Sequence, residues 1–388
     1  MLKKIPLFLL LNFSASVTLF AQIPGGYYNA ASGLQCQALK DALNIIVTNN
    51  HTALSYSTID NVQMPIVDVI PNDANNASII WDIYSNNNFG PEPFEFNSGQ
   101  VSPGGFCGGT TPSIEGICWN KEHTFPRSWF KLSGSSYQQP TESDLFLVRA
   151  TDAKLNGRRA NIPYSTVSSP TFTFSAPGGV ILDKIGPSSA SGISTSSSFE
   201  PNNAVKGDIA RGYFYIITRY QGNLANWYSL NQATTDVDLV VDGITGGGIY
   251  PSLQLPYLTL LYNWHLLDPV DAKEINRNDL IYSQQNNRNP FIDHPEYAAA
   301  VFQCTGVIPV TLLDFTAQKN NESVFLKWVA TLETSFKKYN VERSTDGTNF
   351  NTIGEVTGQN LANYSFNDHE LPKASVIYYR LKMIDLDG

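Results

Sequence analysis

A chain of 388 residues is too long for one ordinary domain and comfortable for two. Its formal net charge of −9 argues at first against a nucleic-acid partner, although an enzyme that releases a polyanionic product needs only a local basic patch. Four cysteines with no CxxC pair argue against a zinc ribbon, and beyond residue 21 no stretch is long and apolar enough to cross a bilayer.

At the start of the chain, Lys3 and Lys4 precede the apolar run Ile5 to Leu11, and Leu19-Phe20-Ala21 stands before Gln22. This order predicts a cleavable secretory signal over 1–21 and a secreted product, extracellular or periplasmic in transit. Asn12, Ser14 and Ser16 interrupt the run, which argues against a membrane anchor. Export favours disulfides over metal thiolates. Four cysteines allow three pairings and sequence alone does not choose among them. The favoured one closes a small loop with Cys107–Cys118 and makes a long-range clasp with Cys36–Cys304.

Residues 33–49 carry Leu34, Ala38, Ala42, Ile45 and Ile46 at helical spacing. The run Ile79 to Tyr84 reads as a strand, and Gly186 to Ser198, almost all small residues, as a mobile loop. Three helices are predicted downstream, over Lys206 to Tyr220, Leu253 to Leu267 and Asp271 to Gln285, the last started by Asp268-Pro269. Past Cys304 the pattern changes to short strands at Val310 to Thr316, Ser323 to Trp328, Tyr339 to Arg343 and Ile377 to Leu381, separated by turns such as Asp346-Gly347. That spacing predicts a small β-sandwich. Trp328, Val341-Glu342-Arg343-Ser344 and Tyr378-Tyr379-Arg380-Leu381 make it similar to the fibronectin type III-like modules appended to secreted bacterial enzymes. Such modules usually have one more strand, so this one is expected to be truncated. It is read as a spacer, a docking module or the approach to a sorting domain. The division expected is a body over 22–304 and a β module over 305–388.

The informative stretches are Cys118-Trp119-Asn120-Lys121-Glu122-His123-Thr124-Phe125-Pro126-Arg127-Ser128-Trp129-Phe130 and Asp144 to Asn161. Between Lys121 and Arg159 the charge balance reverses, seven cations against four carboxylates, a stripe able to grip phosphates. Cleaving a phosphodiester needs a base for water, a cation for the phosphorane charge, and help for the leaving oxygen. A histidine that is neutral near pH 7 can be the base. A glutamate and an asparagine oxygen are hard ligands that suit magnesium. A Glu-His dipeptide alone is a weak signal. Strand alternation would also send the two side chains to opposite faces unless the backbone bends.

Together, the two stretches resemble the endonuclease I family of secreted and periplasmic nucleases, built on a ββα-metal (His-Me) finger. The resemblance continues in Phe199-Glu200-Pro201, Lys206 to Arg211, Trp264-His265, Glu274 to Asp279 and Asn287 to Pro295. It implies an α+β fold, a mostly helical body carrying the finger. It implies an endonuclease of low sequence specificity acting on DNA, with RNA open, using Mg2+ or else Mn2+ or Ca2+. His123 would be the general base, Glu122 and Asn156 the metal ligands, and Asp152, Gly157, Arg159 and Asn161 complete the pattern. Arg127, Arg158 and Arg159 are the candidate phosphate clamps, because a planar guanidinium matches two oxygens. Glu200 and Arg211 fit further blocks, with a structural salt link an equal reading. His265 and His294 read as packing histidines, and Trp119, Phe125, Trp129 and Phe130 as packing between finger and body. The competing reading is an extracellular adhesin or glycan-binding protein. It has no reason to keep a base and two oxygen ligands in this order. No GxSxG or HExxH motif supports a serine or zinc hydrolase.

Overall fold

The computed structural model describes residues 23–385 except 50, 86–90, 100–103, 133–135, 177–178, 180, 233–247, 249, 304–310, 321, 332–335 and 359–362. The expected signal over 1–21 therefore lies outside the described residues, as does Cys304 of the Cys36–Cys304 pairing. Cys107 and Cys118 form a disulfide.

The chain is mixed α/β, with small antiparallel sheets inserted among helices and a β-rich C-terminal region. Helix α1 (Cys36–Thr48) buries Leu39, Leu43 and Val47, four residues apart, as the apolar spacing requires. After a short α2 (Met64–Val67), strands β1 (Val69–Pro71) and β2 (Ser78–Ile80) form a two-stranded ladder. The strand expected to reach Tyr84 stops at Ile80. Beyond it the Asp82 carboxylate accepts the backbone N–H groups of Tyr84 at 3.0 Å and Ser85 at 3.2 Å, and this local turn ends the extended run.

Strands β3 (Trp119–His123) and β4 (Val148–Asp152) pair antiparallel, Glu122 opposite Arg149 and His123 opposite Val148. Helix α3 (Ala153–Arg159) follows β4 without a loop, because Asp152 is both the last strand residue and the helix cap, accepting Leu155 N–H at 2.8 Å. A three-stranded sheet, β5 (Phe172–Ser175), β6 (Ile181–Gly186) and β7 (Ser198–Glu200), comes next. The stretch read as a mobile loop joins the last two of these strands. It is pinned by Ser188 N–H to Thr195 O at 3.0 Å and Ser189 N–H to Thr166 O at 2.8 Å.

The helical body is α4 (Lys206–Arg219), α5 (Leu224–Gln232), α6 (Leu255–Leu267) and α7 (Ala272–Gln285), with short α8 (Pro290–Asp293) and α9 (Tyr297–Phe302). Asp271 caps α7 by accepting Glu274 N–H, and Asn286 ends it in the left-handed conformation, φ 59°. Helix α4 is buried on every side, so its charged residues need internal partners. Arg219 meets Asp144 at 2.6 Å, and Arg211 is paired with Glu274.

Among the described residues the C-terminal region has six strands in two antiparallel sheets. One has the order β12 (Asn363–Asp368), β9 (Ser323–Thr331), β8 (Thr311–Asn320). The other has the order β11 (Asn351–Thr357), β10 (Phe336–Ser344), β13 (Tyr378–Asp385). Leu326, Trp328, Tyr339, Val341 and Tyr364 form one core drawn from both sheets. Strands β11 and β12 escape a reading by periodicity because their residues are largely polar or small. Among the described residues no helix is long and apolar enough to cross a membrane.

Asp144 is fully buried and accepts from Arg219, Tyr215 at 2.9 Å, Tyr220 at 2.8 Å and Gln285 at 2.8 Å. Asp144→Ala strands a buried guanidinium and should lower unfolding free energy by about 3–5 kcal/mol. Urea melts measure this, and a loss below about 1 kcal/mol contradicts it.

Candidate active site

His123 closes β3 and is 7% exposed, with its ring against Tyr56 at 5.6 Å and Phe130 at 5.7 Å. Its Nε2 lies 2.9 Å from the Glu142 carbonyl oxygen. A carbonyl only accepts, so Nε2 carries the proton and Nδ1 presents a bare lone pair. Burial lowers the imidazole pKa to about 4, and the nearby Arg127, Lys121 and Arg159 charges push the same way against the Glu142 contact. At neutral pH the ring is uncharged with its tautomer fixed, which is what a proton acceptor at Nδ1 requires.

Glu122 precedes it on the same strand and is 2% exposed. The Tyr84 hydroxyl donates to Oε1, and Arg159 Nη1 stands 3.1 Å from the same oxygen. Burial pushes this carboxyl above its ordinary value, opposed by the Arg159 charge and the Tyr84 hydroxyl. The β3–β4 register is unbroken through His123, and Arg159 reaches both the Glu122 carboxylate and the His123 carbonyl. The side-chain partners are Tyr84 and Arg159 for Glu122 and Tyr56 and Phe130 for the His123 ring, with the Arg159 charge acting on both.

Helix α3 lies across β3 and supplies Asn156 and Arg159, three residues apart on one face. Asn156 Nδ2 donates to Asn120 Oδ1 and, at 3.1 Å, to the carbonyl of Lys121. The Lys121 carbonyl belongs to the peptide unit entering Glu122, so bond lengths alone place the Asn156 amide within about 6 Å of the Glu122 α-carbon. Because both contacts need a donor, nitrogen faces the strand and the amide oxygen is the atom left for another partner. Asp152 holds the start of the helix through Leu155 N–H and also accepts Gly116 N–H at 2.8 Å. Asn161 follows α3 in a half-buried turn.

The three arginines expected to clamp phosphate separate. Arg127 has a side chain 37% exposed and is ion-paired with Glu142. Its guanidinium stacks on Tyr137 at 3.9 Å and Tyr56 at 4.6 Å, beside His123. Arg158 is more open, 3.6 Å from Glu115 and over Phe172 at 4.2 Å. Arg159, the third of these candidates, is 0% exposed. Besides Glu122 it donates to the carbonyls of His123 and Thr124, both at 2.9 Å, so its role here is internal. Arg149 is likewise interior, 3.7 Å from Asp208, so the basic stripe read from sequence is not one continuous surface.

Glu200 binds Lys206 at 2.7 Å and Lys184 at 3.1 Å, and Arg211 is paired with Glu274. Both are ion-paired in this fold. His265 packs against Phe214 and Tyr262, and His294 against Tyr28 and Tyr297. Trp119, Phe125, Trp129 and Phe130 are all fully buried. Phe125 touches Trp129 at 5.2 Å, Tyr213 of α4 at 5.6 Å and Trp227 of α5 at 6.0 Å, a packing role against the body. Sequence reasoning missed Tyr84, Tyr164, Tyr56 and Glu142, which come from separate loops and turns and carry no motif spacing.

A family model described as Endonuclease I matches residues 35–296. An extracellular ribonuclease of Bacillus amyloliquefaciens is 31% identical over 277 residues, covering 71% of this chain and 78% of the relative. An extracellular ribonuclease of Bacillus subtilis (strain 168) is 30% identical over 280 residues, with the same coverage of 71% and 78%. No solved structure matches the chain. With the matched segment containing every residue of β3, β4 and α3, the chain belongs to the endonuclease I family.

Proposed function

We propose that this chain is an exported nuclease that hydrolyses phosphodiester bonds of nucleic acid. The observation that carries the reading is the His123 imidazole, neutral with its Nε2 proton held by the Glu142 carbonyl, one residue after a buried carboxylate on the strand to which the Asn156 amide nitrogen is hydrogen-bonded. The β3–β4–α3 succession is read as a ββα-metal finger, with His123 taking the proton of the attacking water. The relatives' names speak of extracellular ribonuclease and the family's of endonuclease, so RNA and DNA both belong to the proposed substrate class.

Glu122 and the Asn156 oxygen are hard donors on neighbouring elements, and their chemistry fits Mg2+, with Mn2+ or Ca2+ as alternatives. Among the described residues no three His, Cys, Asp or Glu side chains gather as a metal cluster. A carboxylate–amide pair completed by water suits magnesium, which sheds its waters reluctantly. When bound, such a cation offsets charge on the phosphorane and the departing oxygen. Arg127, half-exposed and stacked on the Tyr56 ring that also packs on His123, is read as the residue that meets a phosphate, exchanging Glu142 for it. Arg159 fixes Glu122 and the end of β3 instead. The remaining parts of the proposal are a signal over 1–21, a catalytic domain over 22–304 and a fibronectin type III-like sandwich over 305–388 acting as spacer or docking module.

Purified protein should digest plasmid DNA, RNA or both with Mg2+ or Mn2+, and EDTA should stop it. Undiminished cleavage in EDTA would remove the cation from the reading. His123→Ala should lose about 10²–10⁴-fold in kcat while its circular dichroism stays that of the parent. A folded variant with normal turnover refutes the base assignment. Arg127→Ala should raise KM about tenfold, with a smaller change in kcat, and flatten the salt dependence of substrate binding by about one phosphate contact. An unchanged KM and salt slope would move the phosphate contact elsewhere.

A further inference from the structure

The Glu122 carboxylate is served by a chain of buried phenols that no motif announces. Tyr84 is 0% exposed and Tyr164 1%, and their hydroxyl oxygens are 2.6 Å apart. The Tyr84 hydroxyl also reaches Glu122 Oε1. A carboxylate only accepts and a phenol has one proton, so the directions are set: Tyr164 donates to Tyr84, and Tyr84 donates to Glu122. Arg159 completes the arrangement, 3.1 Å from the same oxygen and with its guanidinium 4.6 Å over the Tyr164 ring.

Tyr84 is itself clamped at both backbone atoms. Its N–H goes to Asp82 Oδ1 at 3.0 Å, and its carbonyl accepts Asn202 Nδ2 at 3.0 Å. The same Asp82 carboxylate accepts Thr151 Oγ1 at 2.6 Å and Asp152 N–H at 2.8 Å, at the junction of β4 with the helix that carries Asn156. One buried carboxylate therefore registers the phenol that holds Glu122 against the helix that presents the amide. Both Tyr84 and Arg159 engage Oε1 of Glu122.

We propose that Tyr84, oriented by Tyr164, is a positioning residue that sets the divalent-cation affinity of the site by fixing the Glu122 carboxylate. This rests on the reading of Glu122 and Asn156 as cation ligands. Partners that orient a ligating carboxylate typically matter 10–100-fold for metal affinity. Phenylalanine keeps the ring contacts, including that of Tyr84 with Phe199 at 4.7 Å, and removes only the hydroxyl.

The test is titration of the full chain with Mn2+ alone, read by the paramagnetic resonance of free Mn2+ and by calorimetry, for wild type, Tyr84→Phe, Tyr164→Phe and Glu122→Gln. Activity is followed separately against metal concentration. Expected are Mn2+ dissociation constants about tenfold weaker in Tyr84→Phe and weakened less in Tyr164→Phe, with loss of most binding in Glu122→Gln. In Tyr84→Phe and Tyr164→Phe the metal concentration for half-maximal activity should rise in step with the Mn2+ dissociation constant. A purely structural role would lower the melting temperature without moving the Mn2+ affinity of the folded fraction. Wild type that binds no Mn2+ overturns the cation reading and this inference with it. Wild type that binds, with folded Tyr84→Phe and Tyr164→Phe equal to it, overturns the inference alone. Should Tyr84→Phe not fold, Tyr164→Phe carries the test by itself, since it removes the donor that orients Tyr84.

Discussion

The Asp82 carboxylate holds together the parts from which the rest of the site is built. It lies 5% exposed and accepts two backbone N–H groups of the turn carrying Tyr84, one hydroxyl of β4 and the N–H of Asp152. Burial raises its pKa, and the hydrogen bonds from Thr151, Ser85 and Asp152 work in the opposite direction by stabilising the charged form. A carboxylate buried without such donors would be costly; with them it ties a loop, a strand and a helix cap to one point. Asp152 then starts α3, and α3 carries Asn156 and Arg159 to the face of β3.

The surrounding body treats charge in the same way. Arg219, Arg211, Arg277 and Arg288 are all interior, each facing a carboxylate: Asp144, Glu274, Asp68 and Asp279 respectively. Buried pairs of this kind add little net stability over apolar packing, but breaking one side is expensive, so they fix which helices and strands adjoin. Arg277 shows the consequence for the site. It joins Asp68 next to β1 and donates to the Val148 carbonyl at 3.0 Å, and Val148 is the register partner of His123. The body thereby holds β4 in place under the imidazole.

Local chemistry near His123 follows from what stays half-open. Arg127, between Tyr56 and Tyr137, and Lys121, 4.0 Å over Tyr56, keep positive charge around a neutral ring in a protein that is acidic overall. Glu142 serves the two functions at once, its main-chain carbonyl fixing the imidazole and its side chain fixing Arg127. Net charge is thus a poor guide to such a site, because what a phosphate meets is decided within one Debye length, about 8 Å at physiological salt.

The sequence by itself determined the helices with strong spacing or caps, such as α1 and α7, the β-rich character after residue 304 and the family, while the Cys107–Cys118 pairing, one of three it allowed, was decided by the structure. It also singled out Glu122, His123, Asn156 and Asp152, because these sit in short contiguous stretches whose spacing survives without three-dimensional context. Only the tertiary structure decided that Arg159 is an internal partner of Glu122 and Arg127 is half-exposed, since two arginines in similar sequence surroundings differ only in which face of the fold covers them. It alone supplied Tyr84, Tyr164 and Glu142, each brought in from a different segment by long-range hydrogen bonds. It also ended the expected strand at Ile80, where a carboxylate two residues on competes for the backbone. Spacing along a chain encodes local periodicity; which buried donors meet one carboxylate oxygen depends on how distant segments pack.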